Sequence, residues 1–179
     1  IFIIFLKGKR YMKILYGVVG EGMGHAIRSQ VVINKLLELG HEIKIVVSGR
    51  AYDFLKKHFE GVNKIWGLTM VMEDNELQKR ATAMEVFKSS MEGLPENIKK
   101  YLELTEKFAP DCVISDFETW SALYGYNNMI PVISIDNMQV IRRCWHPEEI
   151  LRGRRNEWQL AKSVIKSKIP TAYHYLITT

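Results

Sequence analysis

Residues 12–50 read MKILYGVVGEGMGHAIRSQVVINKLLELGHEIKIVVSGR, and this stretch decides the fold. Lys13 to Val19 is rich in β-branched and aromatic residues and predicts a strand. Gly20-Glu21-Gly22-Met23-Gly24-His25 interrupts it. Ala26 to Leu39 then predicts a helix that offers Val32, Ile33, Leu36 and Leu37 for burial, and Gly40 supplies a left-handed stop. Ile43 to Val47 is a second strand, nearly all apolar, as expected when both faces of a parallel sheet are covered. Together these elements make one βαβ unit.

The α/β rhythm continues outward from this unit. Ala51 to Phe59 predicts a short helix and Val62 to Trp66 a weak third strand. Glu73 to Met91 has no clean period. Leu94 to Phe108 predicts a helix with Ile98, Leu102 and Leu104 inside it and Pro110 beyond its end. Asp111 to Ser115, Pro131 to Ile135 and Ala172 to Thr178 predict three more strands, and Asp116 to Tyr126 a loop and helix. Pro147 to Lys168 predicts one long basic amphipathic helix. The fold class is therefore α/β: a Rossmann-like, mostly parallel sheet with helices on both faces. Residues 1–11 are read as a leader outside the fold, with residues 12–179 forming a single domain that ends on a strand and lacks a closing partner.

The glycine loop carries the chemistry. In an open parallel sheet, ligands bind beyond the carboxyl ends of the strands. Gly20, Gly22 and Gly24 let the backbone approach a ligand closely, and the following helix offers free N–H groups to an anion. His25 stands at that helix start, where an imidazole could act as a general base on a hydroxyl, or merely cap the helix. Asp116 follows a predicted strand and could orient that imidazole, or cap the next helix. Arg28 lies one turn beyond His25 and could meet a phosphate or carboxylate, or a surface acid. Asp136, Asn137 and Gln139 follow another strand end, on the ligand rim or as simple turn formers. His41 reads as structural, and Ser48-Gly49-Arg50 as either cleft lining or a turn.

Composition bounds the remaining choices. The 179 residues are 47% hydrophobic, enough for a globular core. Two cysteines, Cys112 and Cys144, read as free thiols, and no residue spacing calls for a metal. Between Arg142 and Lys168, eight Lys/Arg stand against three acids, so this one stretch carries the whole net charge of +5. Such local basicity implies a surface patch and argues against a nucleic-acid-binding protein. The patch reads either as a solvated helix face or as an attraction to an anionic membrane.

Gly20-Glu21-Gly22-Met23-Gly24-His25-Ala26-Ile27-Arg28, with Leu37-Glu38-Leu39-Gly40-His41-Glu42, resembles the opening βαβ of GT-B-fold glycosyltransferases. Pro110 to Asp116 and Ile130 to Ile135 resemble later strands of the same N-terminal domain. The nearest branch is similar to the teichoic-acid-synthesis-like enzymes. The resemblance implies a cytoplasmic acceptor-binding half, with a nucleotide sugar as co-substrate and no cofactor. It implies a hydroxyl acceptor, in some relatives lipid-linked at the inner face of the membrane, and a missing C-terminal donor domain. It also implies that His25 deprotonates the acceptor and Asp116 orients it. Relatives acting on membrane-linked acceptors carry a glycine where this chain has Met23. An exposed cleft would also favour a homodimer.

Three other readings stand beside this one. A non-hydrolysing nucleotide-sugar epimerase shares the two-domain architecture. An NADP-dependent oxidoreductase would use Gly20, Gly22 and Gly24 as a dinucleotide fingerprint and Arg50 for a 2′-phosphate. Its third small residue, however, should fall at His25, where an imidazole obstructs helix–strand packing. A non-catalytic binding module also fits the chain.

Overall fold

The computed structural model describes residues 11–20, 22–67, 72–73, 76–77 and 93–178. The leader reading for residues 1–11 lies outside these apart from Tyr11, whose hydroxyl donates to Glu42. Most of 73–91 lies outside them as well.

The opening unit forms as its pattern requires. Strand β1 (Lys13–Val18) leads into helix α1 (Met23–Glu38), and Gly40, at φ +84°, turns the chain into β2 (Glu42–Val47). Helix α2 (Ala51–Lys56) and strand β3 (Val62–Lys64) follow. A small antiparallel pair, β4 (Met72–Glu73) and β5 (Glu76–Leu77), stands apart from the main sheet. Helix α3 covers 93–103, and its last turn, Leu104–Phe108, widens to π geometry before Ala109 turns left-handed at φ 47°. Then come β6 (Cys112–Asp116), α4 (Thr119–Asn127), β7 (Val132–Asp136) and the short helices α5 (Gln139–Arg143) and α6 (Glu148–Leu151). Helix α7 (Arg155–Lys168) and strand β8 (His174–Ile177) complete the described chain.

The six main strands lie in the order β3-β2-β1-β6-β7-β8, every neighbouring pair parallel. The order runs outward in both directions from β1, so the switch point lies between β1 and β6, where doubly wound sheets open their ligand crevice. Alternation along β1 builds the two layers. Ile14, Tyr16 and Val18 join Ala26, Ile33 and Leu36 of α1 and Leu55 of α2 on one face. Leu15 and Val19 join Leu104, Phe108, Tyr124 and Ile165 on the other. Both faces are therefore covered, which is why the strands read as unbroken apolar runs.

Some expectations of detail are corrected. The predicted long helix from Pro147 to Lys168 is two helices, broken where Gly153 adopts φ +77°. Ile165 and Leu151 are buried, whereas Ile150 and Leu160 are exposed. In α3, Leu104 is buried but Ile98 and Leu102 are exposed, and Leu37 of α1 is exposed too. Periodicity marks a helix's apolar face, but coverage of that face depends on a neighbour that periodicity does not contain.

Gly17 shows how closely α4 approaches the sheet. A Cβ there would stand 1.9 Å from Ser121 Oγ and 2.6 Å from its Cβ. Gly17→Ala is expected to cost about 1–3 kcal/mol by overpacking, read from urea unfolding. Ser121→Gly in the same chain should recover most of that loss. A Gly17→Ala protein as stable as its parent would contradict this packing.

Candidate functional site

The crevice at the switch point is built by three residues of one helix face and one strand end. His25, Arg28 and Ser29 are spaced i, i+3, i+4 on the first turns of α1 and so point the same way. Asp116 is the last residue of β6, in register with Val18 at the end of β1. Its carboxylate is fully buried. His25 Nδ1 lies 2.6 Å from Oδ1. Arg28 donates through Nη2 to Oδ1 and through Nε to Oδ2 at 3.1 Å. The Ser29 hydroxyl donates to Oδ2 at 2.9 Å. A carboxylate removed from water is tolerable only with such pairing. Arg28 Nη1 donates further, to Thr178 Oγ1 just past β8, at 2.9 Å.

The loop is held from below. Val19 N donates to the Asp116 carbonyl, and Gly20 N to Ser48 Oγ at 3.1 Å. A Cβ on Gly20 would stand 2.2 Å from the Ser48 carbonyl, so only glycine fits. Gly22 caps α1 at φ +85°, again a glycine conformation. Gly24 is exposed within the first turn, with open space where a Cβ would go. Ser48 thus props the loop.

Beyond Asp116 the chain reverses at Phe117, a bulky residue at φ 54°. Its ring stacks at 6.4 Å from that of His25, and Lys168 Nζ stands 4.8 Å from the same ring. The reversal makes Glu118, and not Asp116, the cap of α4: its carboxylate accepts from Trp120 N at 2.8 Å and Ser121 N at 2.6 Å. Burial pushes the Glu118 carboxyl above its ordinary range, against the pull of those N–H groups and of Lys168.

At the neighbouring strand end, Asp136 is buried and accepts from Ser134 Oγ at 2.6 Å and from Gln139 N at 2.9 Å. Burial raises its carboxyl too, and the charge of Asp116 adds to this. Asn137 is exposed. Gln139 is buried, and neither its Oε1 nor its Nε2 has a hydrogen-bond partner among the described residues. His41 is buried beneath the end of α1.

The structure thus joins His25, Arg28 and Asp116 in one cluster and leaves Asp136, Asn137 and Gln139 one strand over. Sequence reasoning missed Ser29, Thr178, Phe117 and Glu118. Only Ser29 left a signal, its i+4 spacing from His25. Among the described residues no His/Cys/Asp/Glu group could hold a metal, and no helix is long and apolar enough to cross a membrane.

Comparison with known proteins agrees with this fold. Residues 12–179 match the family described as Glycosyl transferase family 1. An uncharacterised glycosyltransferase of Methanosarcina mazei is 30% identical over 128 residues, 69% of this chain and 32% of that protein. One from Methanosarcina acetivorans is 30% identical over 128 residues, covering 70% and 33%. The chain spans about a third of the length of these curated relatives. Among solved structures, the spinosyn rhamnosyltransferase SpnG has a TM-score of 0.54 at 18% identity, over 93% of this chain and 45% of its own. Arabidopsis thaliana UGT89C1, complexed with UDP-L-rhamnose, has a TM-score of 0.54 at 14% identity, over 94% and 45%. These structural likenesses establish the GT-B-type Rossmann-like fold, and the matches do not favour the epimerase or oxidoreductase readings.

Asp136 provides a test of the electrostatics. With its native value raised, the folded chain holds this proton more tightly than the unfolded chain. That contribution is complete below the unfolded value of about 3.9 and is lost as pH rises through the native value. Asp136→Asn, which cannot titrate, should therefore gain stability relative to its parent as pH rises above about 4, measured by urea unfolding across a pH series, with the gain levelling off once the native carboxyl has ionised. A constant difference, or one of opposite sign, would refute the assignment.

Proposed function

The chain belongs to glycosyl transferase family 1, and from that premise we propose that it is the acceptor-binding half of a nucleotide-sugar-dependent glycosyltransferase. The observation that carries this reading is the 2.6 Å contact between His25 Nδ1 and the buried Asp116. With Nδ1 engaged, Nε2 is the nitrogen left for a substrate. His25 is partly exposed, with 18% of its side chain accessible.

In the proposed reaction Nε2 of His25 takes the proton of an acceptor hydroxyl. The hydroxyl oxygen bonds to the anomeric carbon, and the bond from that carbon to the nucleoside diphosphate breaks, its electron pair leaving with the phosphate. Asp116 stabilises the imidazolium formed. Gly20, Gly22 and Gly24 give the departing anion access to the N-terminal N–H groups of α1, and a donor domain would add its own contacts. Arg28, 23% exposed, borders the acceptor, and Asp136, Asn137 and Gln139 lie one strand beyond. The donor is proposed to be a uridine-diphosphate sugar.

A lipid-linked acceptor and a peripheral membrane contact in the cytoplasm extend the proposal. Their support is Trp145, 84% exposed, and Ile150, 65% exposed, beside the exposed Arg152 and Arg154.

The test uses the complete gene product and a panel of uridine-diphosphate sugars. His25→Ala should lower transfer by about 10²- to 10⁴-fold, the worth of a general base, and leave donor affinity by calorimetry unchanged. Full transfer by His25→Ala would refute the base assignment. A complete protein that neither binds nor cleaves any nucleotide sugar would refute the proposal as a whole.

A further inference from the structure

We infer that Arg28 is a positioning residue for the His25–Asp116 pair, with Thr178 as its outer anchor, and that its role is to fix which ring nitrogen of His25 carries the proton. The inference rests on the reading of His25 as base. It arises from a crowded arrangement of atoms. Arg28 Nη2 donates to Asp116 Oδ1 but also lies 2.9 Å from His25 Nδ1. Nδ1 in turn lies 2.6 Å from the same Oδ1.

Two proton placements are open, and they have opposite consequences. If Nδ1 accepted from Arg28, the proton would sit on Nε2 and His25 could not act as a base there. In that arrangement an Nδ1 lone pair would face a carboxylate oxygen at 2.6 Å with no proton between them, which is repulsive. If Nδ1 carries the proton, Oδ1 receives two charge-assisted donors, His25 Nδ1 and Arg28 Nη2. The closeness of those two nitrogens then follows from their sharing one acceptor. The second placement is the one the geometry supports.

What holds the carboxylate in that orientation is the guanidinium. Nε and Nη2 engage both Asp116 oxygens as a planar fork, which sets the plane of the carboxylate and aims Oδ1 at the imidazole. Ser29 secures Oδ2. Nη1 reaches across to Thr178, a residue 150 positions away, so the fork is itself braced from the end of β8. Lysine at position 28 would keep the charge but, as a point donor, could not impose a plane.

The experiment is a long-range ¹H–¹⁵N correlation of the imidazole rings in the full chain, which distinguishes Nδ1–H from Nε2–H in the neutral ring. The protein has five histidines, and His25→Gln identifies the signal. The parent should show Nδ1–H. Arg28→Lys, folded by circular dichroism, should raise the Nε2–H population by about tenfold, the scale of one hydrogen bond to a charged group. Thr178→Val should shift it less, in the same direction. A folded Arg28→Lys with the parent's pattern overturns the positioning role and leaves the base reading standing. A parent that shows Nε2–H overturns the base reading itself. If Arg28→Lys fails to fold, Thr178→Val decides: an unchanged pattern overturns the inference and a shifted one supports it.

Discussion

The buried carboxylate of Asp116 is the constraint to which the functional edge of this fold conforms. An ionised group out of water costs several kcal/mol unless charges and hydrogen-bond donors surround it. Here the donors come from Arg28, Ser29 and His25. All three lie on α1, so α1 must sit in one rotation and one register against β6. That requirement propagates backward. The connection from β1 must deliver the helix start directly over the strand end, which presses Gly20 against Ser48 and demands the left-handed backbone of Gly22. The glycines of the loop are thus needed by the scaffold first, and Gly20 and Gly22 would be glycine even if no ligand ever approached.

The turn Asp116-Phe117-Glu118 solves a second problem at the same place. Two carboxylates two residues apart on a strand would point the same way and repel. The left-handed Phe117 reverses the chain between them. Asp116 then faces α1, while Glu118 faces α4 and caps it. Each carboxylate is served by a different set of donors. The strain of a bulky residue in that region, of order 1–3 kcal/mol, is offset by the cap and by the contacts of the Phe117 ring with His25 and Lys168.

Much of this was legible from the residues alone, and the reasons differ element by element. The opening βαβ was readable because apolar period, glycine stop and strand composition all agree within forty residues of chain. His25 and Asp116 were readable as candidates because a parallel sheet places every loop that follows a strand on one rim. The target of Arg28 was not, since its partners are 88 and 150 positions distant and any acid or phosphate would have satisfied the side chain equally. Glu118 was hidden by Asp116, the more obvious cap two residues earlier. The break at Gly153 was overridden by the periodicity on either side of it, and a tetrad such as Arg152-Gly153-Arg154-Arg155 carries no strong turn signal beyond the glycine itself.

The basic stretch from Arg142 to Lys168 is less uniform in the fold than in the sequence. On paper it is a uniform patch. In the fold, Arg142 donates to the carbonyls of Ile169 and Pro170, Arg143 stacks on Tyr175, and Lys162 lies over Trp158. Arg155 pairs with Glu148, and Lys168 is buried against Phe117. Five of the eight cations therefore have partners within the fold. Arg152, Arg154 and Lys166 remain as exposed cations of the stretch. At about 1 kcal/mol for each cation near an anionic surface, three of them with Trp145 support only a weak and reversible attachment. Contacts of that strength would not hold the chain at a membrane on their own.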